Sequence, residues 1–174
     1  MRPGDISLPI FYDVEPIRDG GSISTRRVKA VQNDAVIFYM TASFQGGRQG
    51  FNHQDEMPTV APPEGLPTLD EQISEKLGQP VETPAFRAGF DIRPVGPNYL
   101  KLTEMRDSNT HIWFKAKCTL PDDLVIHEFL LAYASDMVLL PVSTFPHGID
   151  YSRKDFQMAT IDHSMWFHRP FRFD

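Results

Sequence analysis

Three consecutive stretches near the start of the chain, "PIFYDVEPI", "SISTRRVKAVQ" and "AVIFYMTASFQ", read as extended runs, and in the third hydrophobic residues recur at every second position. That is the period of a β-strand, whose successive side chains point to opposite faces. In the third stretch Val36, Phe38, Met40, Ala42 and Phe44 make one whole face apolar, so it needs cover. The intervening "RDGG" and "ND" are turn chemistry, and an antiparallel meander of three strands is predicted. A later stretch, "HIWFKAKCTL", repeats the pattern, with Ile112, Phe114, Ala116, Cys118 and Leu120 on one face and Cys118 filling space in a strand. "FDIRPV" precedes it as a further short strand.

The pattern changes character twice. Residues 46–89 break into proline- and glycine-rich pieces that deny the backbone regular pairing. One short helix is expected there at "TLDEQISEKL", where Thr68 and Glu71 have the spacing of a capping box. A connector this long joins two structural units. Then "PDDLVIHEFLLAYASDMVLLPV" opens with a proline and two aspartates suited to a helix start and meets Pro141 about 17 residues later. This helix is apolar on nearly every side, which means burial, and the flanking strands suggest a sheet wrapped around it. The last stretch, "ATIDHSMWFHRP", reads as one more strand over about residues 156–168.

Composition narrows the classes. The chain has 174 residues, 41% of them hydrophobic and 23% charged, the balance of a globular protein. No apolar run approaches the roughly 20 residues needed to span a bilayer, and "MRPGDISLPI" lacks the build of a secretory leader, so a cytoplasmic location without membrane insertion is expected. The net charge of −6 argues against nucleic acid as a partner. A single cysteine forms no internal disulfide.

Asp136 draws attention on physical grounds, because it is the only formally charged side chain between Glu128 and Asp150 and lies on the helix expected to be buried. An ionised carboxylate there must be paired, protonated or facing a wet cavity. The plainer alternative is an acid capping a loop or pointing outward at a helix end. In the terminal strand Thr160, Asp162, Ser164, Trp166 and His168 share one face, and Ala159, Ile161, His163, Met165 and Phe167 the other. His163 and His168 thus point apart, which weakens a shared metal ion, and His163 reads first as a hydrogen-bonded core histidine. No G-x-S-x-G elbow supports a serine nucleophile. A buried acid beside strand hydroxyls suits activation of a water molecule. Arg27 and Lys29 share a strand face and could meet phosphates, although solvated surface is the plainer reading of both.

These segments carry a resemblance. "RPGD", "YDVEPIRDGGSISTRRVKAVQN", "IFYMTASFQ", "FNHQDEMP", "AYASDMVLLPV" and "ATIDHSMWFHRPF" are similar, in the same order, to the type II acyl-CoA thioesterases, the double-hotdog family. The resemblance implies an α+β fold, a hotdog-type antiparallel sheet around a central long helix. Residues 1–45 would supply the late strands of a first hotdog, 46–89 the connector, and 90–174 the early strands, helix and following strand of a second. It implies hydrolysis of fatty acyl-CoA to a free fatty acid and coenzyme A, with no cofactor and no metal. The family's water-holding aspartate matches Asp136, and its hydroxyl matches Thr160, a choice that strand spacing alone leaves open. Its glutamine lies in a "VQEG"-like strand beyond Asp174, and loss of one such hydrogen bond costs about a hundredfold in rate. By the same comparison Met1 stands at an interior position, so a chain shortened at both ends is expected. Apolar sheet faces without their usual cover would then favour a homo-oligomer. A non-catalytic remnant or binding module is the competing expectation.

Overall fold

The computed structural model describes residues 3–96 and 99–174. The chain divides into two compact units, Met1–Glu56 and Met57–Asp174.

The first unit is a three-stranded antiparallel sheet, β1 (Phe11–Asp19), β2 (Ile23–Gln32) and β3 (Ala35–Gln45), in that order. Asn33 and Asp34 both take positive φ, 47° and 59°, the backbone of the tight hairpin whose twist matches its strands. Pro16, which has no N–H for a ladder, sits on the edge strand β1 where the register slips between Pro16 and Arg18. The register sorts the faces. Asp13, Lys29 and Tyr39 lie side by side, as do Glu15, Arg27 and Thr41, on a polar face. Tyr12, Ala30 and Phe38, and Val14, Val28 and Met40, line the opposite face. Tyr12, Val14, Phe38, Met40 and Phe44 are exposed there.

The second unit begins with the proline-rich segment, which is tied down by side chains. Trp113 Nε1 donates to the Ala61 carbonyl at 2.9 Å, and Arg93 Nη1 donates to the carbonyls of Pro63 and Leu66 at 3.1 and 2.8 Å. Helix α1 (Leu69–Leu77) starts with the expected capping box: Thr68 accepts from the Glu71 N–H, and Glu71 accepts from the Thr68 N–H. Strands β4 (Phe90–Pro94) and β5 (Ile112–Ala116) pair antiparallel, Phe90 opposite Ala116 and Ile92 opposite Phe114.

Helix α2 (Leu124–Leu139) starts at Asp123, whose carboxylate accepts the Val125 N–H at 3.1 Å. At Leu140 it tightens into a 3₁₀ helix that runs to His147, so Pro141 changes the helix type instead of ending the helical path. Inside a continuous helical path a proline removes one backbone hydrogen bond and crowds the preceding turn, which is where the helix type changes. Gly148, at φ 58°, closes the path; a Cβ there would lie 3.0 Å from the Thr103 carbonyl oxygen. The core gathers Ala116, Ala134 and Phe173, flanked by Phe90, Phe114, Leu120, Leu130, Leu131 and Phe171.

Four expectations are corrected. Residues 156–168 form no strand; they run as irregular chain with no ladder among the described residues. Helix α2 is not buried all round. Only His127, Ala134, Ser135 and Val138 are buried on it, because a two-stranded sheet covers one side, and Phe129, Tyr133 and Leu139 are exposed. Cys118 lies beyond the end of β5 and is exposed. Finally, Leu124–His147 forms 24 helical residues with a mean hydropathy of 1.5 in its most apolar window, enough in length and composition to cross a membrane. The 3₁₀ extension through Pro141 supplies the added length.

Candidate active site

Helix α2 presents Ser135 and Asp136 as neighbours. Ser135 is buried, and Asp136 is exposed, contrary to the burial that made it conspicuous. Asp136 is nonetheless paired. The Thr160 hydroxyl donates to Asp136 Oδ1 at 2.9 Å, across 24 residues of sequence. The two residues proposed for the chemistry therefore meet. Thr160 is half-buried, so the contact sits at the rim of the core with access for water.

One contact beside it was not foreseen. His163 Nε2 lies 3.0 Å from Ser135 Oγ. In a regular strand Thr160 and His163 would face opposite ways, being an odd number of residues apart. Both reach α2 here, which an irregular backbone permits. The expectation for His163 is met in its hydrogen bond and corrected in its burial, because the ring is exposed. Nothing in the sequence pattern singled out Ser135, whose role depends on the way the chain returns to the helix.

The helix itself is clamped at its start. His127 is 2% exposed; its Nδ1 accepts the Phe173 N–H and its Nε2 lies 3.0 Å from the Pro121 carbonyl oxygen. Since Nδ1 is the acceptor, the proton is on Nε2 and the ring is neutral. The Ala116 N–H donates to the Phe173 carbonyl at 2.7 Å, so one residue ties α2 to β5. Next to it Arg172 bonds Asp122 and Asp174. Arg172, helped by the Leu120 N–H, holds the Asp174 carboxyl well below the usual carboxylate range.

Arg27 and Lys29 lie in the first unit. Arg27 Nε donates to Glu15 at 3.0 Å and Lys29 Nζ is 2.8 Å from Asp13, so each already has an acidic partner across the strand. Among the described residues no three His, Cys, Asp or Glu side chains converge as metal ligands would. A cleft of about 710 Å³ in the second unit is lined by Gln72, Lys76, Leu100, Lys101 and Asp150, and neither Asp136 nor Thr160 reaches it.

Comparison with known proteins adds the family. Residues 95–174 match the family model described as acyl-CoA thioesterase, and residues 1–45 match the one described as acyl-CoA thioesterase N-terminal domain. The chain is 38% identical, over 98% of its length, to acyl-CoA thioesterase 2 of Haemophilus influenzae, and 36% identical, over its whole length, to human acyl-coenzyme A thioesterase 8. The chain belongs to the acyl-CoA thioesterase family. It spans about three-fifths of these thioesterases, 61% and 58% of their lengths. A solved acyl-CoA thioesterase II from Mycobacterium marinum superposes with a TM-score of 0.78 at 40% identity, covering all of this chain and 61% of that one. A hot dog fold protein from Alicyclobacillus acidocaldarius, 21% identical, superposes with a TM-score of 0.58 over 81% of this chain and 48% of its own, a likeness of fold alone. The antiparallel sheets and long helix of this chain are accordingly of the α+β hotdog class.

Proposed function

We propose that the protein hydrolyses fatty acyl-CoA to a free fatty acid and coenzyme A, using a water activated by Asp136 and positioned by Thr160. The observation that carries this reading is the 2.9 Å hydrogen bond from Thr160 to Asp136. Because the threonine proton is committed to Oδ1, the Thr160 oxygen is left as an acceptor that can orient a water beside the carboxylate. The Asp136 carboxylate takes one proton of that water as its oxygen attacks the thioester carbonyl carbon. The tetrahedral oxyanion then collapses, the carbon–sulfur bond breaks, and the proton held on Asp136 passes to the departing thiolate. Acid and thiol are the products, with no covalent intermediate.

In this reading α2 is a core helix and not a membrane span. His127 and Ser135 support that choice, since both tie the helix to other parts of its own unit. The exposure of Asp136 favours a second reading, a binding module that holds acyl-CoA without turnover. Thiol release from medium- and long-chain acyl-CoA separates the two. Asp136→Asn, which keeps the acceptor for Thr160 and loses the base, is expected to slow release about a hundredfold or more with unchanged cooperative unfolding. Equal rates in the two proteins would remove Asp136 from the mechanism.

A further inference from the structure

Residues 156–168 have no backbone ladder to hold them, yet Thr160 must stay within hydrogen-bond reach of Asp136 for the proposed chemistry. Something other than strand pairing sets its place. The neighbouring contact supplies it, and the proton inventory of that contact is determined. Ser135 Oγ donates to the Ala132 carbonyl at 2.8 Å, one turn back on the same helix. A serine hydroxyl has one proton, so towards His163 it can only accept. His163 Nε2 is therefore the donor in the 3.0 Å bond to Ser135. Both the neutral Nε2–H ring and the doubly protonated ring keep this proton, so the anchor survives either state.

We infer that His163 is a positioning residue: by donating to Ser135 it pins the irregular segment to α2 and thereby holds Thr160 against Asp136. This rests on reading Asp136 and Thr160 as the water-activating pair. Two bonds, from residues 160 and 163, land on consecutive residues of one helix and close a small loop. Ser135 is a suitable anchor because it is buried, on a rigid element, and its own rotamer is fixed by the Ala132 carbonyl. Through the Nε2 bond to Ser135, His163 supports the threonine.

The test compares His163→Gln, whose amide nitrogen keeps a donor at similar reach, with His163→Leu, which has none, and sets both beside Ser135→Ala and Asp136→Asn. Imidazole ¹⁵N spectra of the protein should show the Nε2–H pattern for His163, and Ser135→Ala should shift it towards the tautomer mixture of a free imidazole. His163→Leu should lower kcat by about ten- to a hundredfold with KM and the unfolding midpoint unchanged, the penalty of a misplaced reacting group. His163→Gln should restore kcat to near the parent value. An Nδ1–H ring in the parent, or equal kcat in the Gln and Leu variants, would overturn the inference. If Asp136→Asn is fully active or the parent shows no turnover, the functional reading fails separately. Amide exchange at Thr160 then decides the anchor, with faster exchange in His163→Leu than in His163→Gln supporting it and equal exchange overturning it.

Discussion

Strand β3 is held along its length by the backbone of β2, whereas residues 156–168 reach their neighbour through side chains, chiefly Thr160 and His163. Both segments are read from sequence as strands with two distinct faces. They differ in what precedes them. Asn33 and Asp34 fold β3 straight back onto β2, while the loop before residue 156 is closed on itself by Asp150 with Ser152 and by Arg153 with Asp155. Alternation assigns faces to a segment; a ladder also requires an adjacent backbone. A segment without one can send residues of both faces to a single helix, and here that brings a hydroxyl to an acid.

The contrast can be broken by mutation. If residues 156–168 serve the site and not the framework, Thr160→Val should lower acyl-CoA turnover about a hundredfold while leaving urea unfolding unchanged. A lowered unfolding midpoint would make the segment structural instead. The reverse is expected of the β2–β3 turn. Asn33→Val places a β-branched residue at φ 47°, and should cost the first sheet about 1–2 kcal/mol, read as faster amide exchange in β2 and β3. On the polar face of that sheet, Arg27→Ala removes an exposed partner of Glu15 and should cost less than about 1 kcal/mol, a difference that shrinks in high salt. Unchanged turnover in the same variant would leave Arg27 as surface, and a raised KM would restore it as a phosphate contact.

The smallest effect concerns α1, another segment closed by side chains. Hydrogen bonds from Thr68 hold the Glu71 carboxyl below its ordinary range. A lowered pKa means that the folded form favours the ionised acid, so this stabilisation is complete above the ordinary glutamic acid range and is lost as pH falls below it. Amide protection at the start of α1 should decline on acidification, and Glu71→Ala should remove that decline.

What the amino-acid order disclosed follows the same division. Strand positions in the meander, the Thr68 box and the start of α2 depend on residues a few places apart, and those were legible. The burial of α2 was not, because it depends on how much sheet lies against it. Asp136 was singled out on the premise of burial, and the structure places it at the surface with a partner, so the residue stood out for a reason that its surroundings do not share. Thr160 came from the family resemblance, since Ser164 offered the same chemistry on the same expected face. The Ser135–His163 contact had no local signal, because no ladder or turn sets the path between them.

The central claim, that Asp136 and Thr160 act together on one water, is tested most directly by a double-mutant cycle on kcat with Asp136→Asn, Thr160→Val and the pair combined. The double variant is expected to be no slower than Asp136→Asn alone, because a water that is no longer activated gains nothing from being oriented. Fully multiplicative losses would show that the two residues act independently and would contradict it.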